Sequence, residues 1–173
     1  WGVEHDDPDA TQMYENEWIP FFKSVHPDGE DKLDSNAKID RFFIAYSFIC
    51  QKNGTAADAV VNMRKKWSDL IDNRDVLVNS NDDRQNQIEE AKAYVQLAIE
   101  DMNQYIPAFR MLSYNESPEF IYENFEFGEI PDPFNNNEFK SIIIWMQRLE
   151  PPQTTWSFLM QLSHSYSTGR IEF

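Results

Sequence analysis

Three histidines and a single cysteine are the side chains of this chain most suited to chemistry at neutral pH, as metal ligands, proton carriers or a nucleophile. His5, His26 and His164 lie in different segments, and none is paired with another histidine or with the cysteine at a spacing that would clamp a metal on one helix. Cys50 ends the run FFIAYSFIC, which carries no local nucleophile signature, and a lone cysteine excludes an internal disulfide. The expectation is surface or loop histidines and a small buried thiol. The acidic stretches 4–9 and 28–34 offer oxygen ligands, yet neither has the alternating ligands, glycine and closing glutamate of a calcium loop. Asn53-Gly54-Thr55 and Asn115-Glu116-Ser117 match a glycosylation acceptor, but the first equally serves as a helix stop and start, and Pro118 follows the second. With five glycines there is no glycine-rich phosphate loop. No catalytic residue, cofactor or metal is expected.

The chain's elements have material for a core: of 173 residues 41% are hydrophobic and 14% aromatic, enough for one domain with arms and too few residues for two ordinary domains. The formal net charge of -15 argues against nucleic acid, whose phosphates call for a surplus of Lys and Arg; it suits a basic partner or simple solubility. The longest apolar runs, FFIAYSFIC and SIIIWM, are too short to span a bilayer. A chain that begins at Trp1 without initiator Met or a hydrophobic leader fits a processed mature protein or a trimmed one.

Punctuation divides the chain into helices. Residues 1–9 form an acidic arm, followed by a short helix over 10–22 and a solvated loop over 26–36. Asp34 or Ser35 caps a helix over 37–51 with Ile39, Phe42, Phe43, Tyr46 and Ile49 near one face, and Asn53-Gly54 stops it. Thr55 caps a third helix bearing Ala59, Val60, Met63, Trp67, Leu70 and Ile71. A long helix over 83–105 ends at Ile106-Pro107, and Ser117-Pro118-Glu119 opens the short helix SPEFIYENF. After a Pro- and Asn-rich loop come helical segments 138–149 and 155–166. Short β segments near 75–79 or at the C-terminus are the alternative to an all-α chain.

The helix over 83–105 is the most informative. Ile88, Ala91, Val95, Ala98, Met102 and Tyr105 recur at alternating spacings of three and four, which draws one narrow apolar seam suited to a partner helix. The alternative is that the seam packs on the chain's own second and third helices, with Phe42, Phe43, Tyr46, Trp67 and Leu70 as core. The fold expected is all-α, several helices with one long coiled-coil-like helix and extended arms rather than a compact bundle. It divides into an arm and short helix (1–36), a central helical region (37–133) and a C-terminal extension (134–173).

Residues 38–70, KIDRFFIAYSFICQKNGTAADAVVNMRKKWSDL, resemble a segment of subunit d of the mitochondrial ATP synthase peripheral stalk. The likeness runs through Ile39-Asp40, Phe42-Phe43, Gly54, Asp58, Val60, Lys65-Lys66-Trp67 and Leu70. It continues in order through a polar linker, the long charged helix, Ile106-Pro107 and SPEFIYENF, covering about residues 18–133. Arg41 stands where that family usually has an aromatic, an extra residue or so precedes Gly54, and 134–173 looks unlike the family's C-terminal end and reads as an extension with its own contact. The resemblance implies a non-catalytic stator subunit on the matrix side of the inner membrane, without a membrane span of its own. Its partners are the other peripheral-stalk helices, against which the seam packs to resist rotor torque. Ala91 and Ala98 then allow close approach, while Met102 and Tyr105 fill wider gaps. The rival from another class is a free-standing acidic binding protein, such as a nucleic-acid mimic that occupies a basic groove.

Overall fold

The computed structural model describes residues 8–26, 32–50, 58–72, 83–125, 127–149 and 153–171. Among these the chain is helical throughout, with no strand. The N-terminal helical stretch is continuous from α1 (Pro8–Met13) through a π-helical turn (Tyr14–Trp18) into α2 (Ile19–Val25). Then come α3 (Lys32–Cys50), α4 (Ala59–Asp72), α5 (Asp83–Asn103), α6 (Ile106–Tyr114), α7 (Pro118–Asn124), a 3-10 turn (Asp132–Asn135), α8 (Asn137–Arg148) and α9 (Gln153–Ser167). The Asn53-Gly54 stop, the Thr55 cap, the strand candidate at 75–79, His5 and both acidic stretches lie wholly or mainly outside the described residues.

Local chemistry accounts for the boundaries. Ser117 caps α7 as its sequence requires, its hydroxyl accepting from Phe120 N–H at 3.2 Å with Pro118 behind it. Asn136 does the same for α8, its Oδ1 accepting from the N–H groups of Glu138 at 2.8 Å and Phe139 at 3.3 Å. Two expectations are corrected. The loop over 26–36 is shorter, because α3 begins at Lys32, which puts Asp34 and Ser35, the expected caps, inside the helix. Ile106-Pro107 opens a helix: α5 ends at Asn103, and Pro107 sits in the first turn of α6, where its missing N–H has no intrahelical acceptor to lose. Asn115 ends α6 in the left-handed conformation at φ 56°.

Helix α6 is the hub. Every residue from Ile106 to Leu112 is buried, and α2, α5, α7, α8 and α9 pack round it. Helix α3 lies along α4 and α9, and every helix from α2 onward contributes to one buried cluster. Residues 134–173 therefore share the core with the rest, through Phe134, Phe139, Ile143, Trp156 and Met160. Aromatic rings fill its centre, with Phe109 edge-on to Phe42 at 5.2 Å and Tyr105 edge-on to Tyr46 at 5.7 Å.

A helix without a solvent face must satisfy any charge it carries. Arg110 is fully buried, and its guanidinium pairs bidentately with Glu116, Nε to Oε2 at 2.6 Å and Nη2 to Oε1 at 2.5 Å. Nη1 donates to the Ser24 carbonyl at 2.8 Å, which ties α6 to the end of α2. The plane lies between the rings of Phe125 and Tyr114, at 3.9 and 5.1 Å from their centroids. The Tyr114 hydroxyl in turn shares a 2.8 Å hydrogen bond with His26 Nδ1, so His26 is a buried structural residue rather than a loop histidine.

Glu116→Ala strands a cation in this site, and chemical denaturation should show a loss of about 3–5 kcal/mol. Arg110→Met combined with Glu116→Gln should lose much less, because no buried charge is left over. A loss below 1 kcal/mol for Glu116→Ala would remove this pair as the organiser of the hub.

Candidate interaction surface

The seam on α5 is where a partner was expected, and the structure turns it inward. Val95, Ala98, Met102 and Tyr105 are 2, 2, 0 and 8% exposed and belong to the chain's own core. The intermolecular role expected of these four is corrected: Val95, Met102 and Tyr105 join the chain's own buried cluster, and Ala98 is buried as well. The physical reason is breadth. Leu97 and Ile99, also buried, flank the seam and widen it into an ordinary core-facing stripe, while Gln96 and Glu100 face water. The side chains of Ile88 and Ala91, at the other end of α5, lie outside the described residues.

A polar cluster cross-links the inner helices. The Tyr46 hydroxyl on α3 donates to Asp101 Oδ2 on α5, and Lys66 Nζ on α4 pairs with the same oxygen at 2.6 Å. Trp67 Nε1 donates to the Tyr46 hydroxyl at 3.0 Å. Burial, with the Asp101 carboxylate beside it, drives the Tyr46 phenol far above its ordinary value. Burial likewise pushes Cys50 up to about 11, so this half-buried thiol is held neutral and is a poor nucleophile. Burial works to lower Lys66, but the hydrogen bond and charge of Asp101 outweigh it and hold the ammonium above its usual range. His164 on α9 stacks near Tyr105 at 4.7 Å; burial, helped by Arg170, lowers it, against a hydrogen bond with the Gln104 backbone. It too is buried rather than at the surface. Each of these contacts joins one helix to another, and the arrangement is that of a lock.

The outward apolar surface lies elsewhere. Among the described residues, seven of the eleven exposed large hydrophobic side chains fall in 142–171. On α8 the inner face is Phe139 and Ile143, and the outer face presents Ile142, Trp145 and, just past the helix end, Leu149, at 37, 67 and 67% exposure. Their spacing of three and four is the pattern read on α5, here turned to solvent. On α9, Phe158 and Leu162 are 62 and 37% exposed, one turn apart. The sequence signal was hidden in SIIIWM, a run apolar at almost every position, in which no period marks the inner side. No helix among the described residues is long and apolar enough to cross a membrane.

No protein-family model matches the chain, and neither the curated proteins nor the solved structures contain a match to it.

The neutral Cys50 and Tyr46 set a pH dependence. Their folded values lie above the unfolded 9.0 and 10.0, so above those values the unfolded chain binds fewer protons and gains on the folded one. Stability is full below pH 9 and should fall from there towards 11 and beyond, by at most about 1.4 kcal/mol per pH unit for each group. Urea titrations across this range should show the decline, and Cys50→Ala with Tyr46→Phe should make it shallower, leaving the part due to Tyr105, Tyr122 and Lys66, which are also raised; an unchanged slope in the double variant would place its origin in those groups.

Proposed function

We propose that this chain is a non-catalytic helical subunit of a larger assembly, held to partner helices by the outer faces of α8 and α9. In the form that the resemblance favours, it is a stator subunit of the mitochondrial ATP synthase peripheral stalk, on the matrix side of the inner membrane. The observation that carries the docking part is the exposed row Ile142, Trp145 and Leu149 on α8. Large apolar side chains at three-four spacing on the outside of a helix are what a second helix packs against. Burying what these three residues still expose is worth roughly 2.5–5 kcal/mol, no more than the low end of the cost of bringing two chains together, so Phe158, Leu162 and charge pairing must add to it. The net charge of -15 suits a basic partner.

The stalk assignment is supported by the order of motifs over residues 18–133, from Ile39-Asp40 to SPEFIYENF. It no longer draws on Val95, Ala98, Met102 or Tyr105, which are internal. A stator needs stiffness and no chemistry, and the Arg110 clamp and the Tyr46–Asp101–Lys66 lock supply stiffness.

The chain carrying an N-terminal affinity tag, recovered by gentle extraction, should bring down rotor and catalytic subunits of ATP synthase. Trp145→Glu together with Leu149→Glu should abolish that recovery while shifting stability by no more than about 0.5 kcal/mol, because both sites are exposed. Recovery of the chain alone would defeat the proposal. Recovery instead with a basic nucleic-acid enzyme, in a complex that dissolves as salt rises, would favour the acidic mimic.

A further inference from the structure

An open cleft of about 720 Å³ lies between the N-terminal helices and the C-terminal half of α5, and closes at one end on the residues after α7. Its volume is that of a binding cleft rather than a packing flaw. We infer that this cleft is a docking groove for an extended basic peptide segment of a partner protein.

The lining chemistry selects that occupant. Among the described residues four carboxamides border the cleft: Asn16 in the π-helical turn, Asn103 and Gln104 at the end of α5, and Asn124 at the end of α7, whose Nδ2 already donates to the Phe120 carbonyl at 2.8 Å and which offers its oxygen. A carboxamide offers a donor and an acceptor side by side, as the peptide unit does, so a row of them matches the alternating C=O and N–H groups of an extended backbone. Asn103 adds an independent sign. Its Oδ1 is buried without a hydrogen-bond partner, an acceptor left unmet at the border of the cleft.

Charge chooses among peptides. Glu17 and Glu100 border the cleft with Lys23 as the cation beside them, and the whole chain is strongly acidic, so a Lys- or Arg-bearing segment is attracted and an acidic one repelled. A phosphate ligand would call for a cationic cluster, and among the described residues the lining has Lys23 alone. Phe21 and Ile99, almost wholly buried, form an apolar floor, and Phe127 gives a wall along which the aliphatic stem of a lysine can lie. The cleft is lined by none of the exposed α8 and α9 residues, and this inference does not rest on the stalk assignment.

The test is a titration of the isotope-labelled full chain with acetyl-(Lys-Ala)4-amide, followed by the side-chain amide resonances. Those of Asn16, Asn103, Gln104 and Asn124 should shift together, acetyl-(Glu-Ala)4-amide should shift none of them, and Asn103→Ala should weaken binding about fivefold, the effect of one lost hydrogen bond. Gln104→Ala, at an exposed position, should weaken it similarly and guards against a folding defect in the first variant. Absence of these shifts, equal shifts with the glutamate peptide, or binding unaltered by both variants would overturn the inference.

Discussion

A helix with no side open to water imposes its needs on everything round it, and α6 is such a helix. Ile106 to Leu112 are buried on all faces, so five other helices must supply apolar cover and one acid must neutralise Arg110. The acid is Glu116, six residues on, and it reaches back because Asn115 takes the left-handed turn that ends the helix. Ser117 then starts α7. Asn115, Glu116 and Ser117, which match a glycosylation acceptor, thus each have a separate task in turning the chain and holding the guanidinium. The Ser24 carbonyl extends the same hold to α2, and the Tyr114 to His26 contact secures the residue that follows it.

The second constraint is the lock between α3, α4 and α5. Asp101 accepts from Tyr46 and Lys66 together, and Trp67 leans on the same phenol. Because these groups are mostly out of water, loss of one strands the others, and the network makes one packing of the helices much better than its neighbours. With the hub held on one side by Arg110 and the long helices held on the other by Asp101, α8 and α9 are presented on a stiff base. Trp145 and Phe158 are exposed on these two helices.

Much of this was legible in residue order. The Ser117-Pro118-Glu119 start, the aromatic face of α3 and the bounds of α8 and α9 to within two residues follow from caps and prolines, because those signals act locally. What stayed hidden was decided by depth. The three-four row on α5 is real, but Leu97 and Ile99 beside it are the residues that decide whether the row meets another chain or its own, and a period alone does not weigh them. Helix α6 is hard to read from residue order because nine residues are too few to establish a period, and Pro107 reads equally as a stop or a start. His26 and His164 look like loop and surface residues until long-range contacts bury them against Tyr114 and Tyr105. Arg110 gave no sign of being interior, since a lone arginine in a sequence is ordinarily at the surface.

The central claim is that α5 and α6 form an interior that this chain completes without help. Hydrogen exchange of the isolated chain, followed by mass spectrometry, tests it most directly. The account predicts that amides in the segment from Val95 to Leu112 exchange only through global unfolding and are the slowest in the molecule with no other protein present. Rapid exchange there, slowed only when a second polypeptide is added, would contradict it.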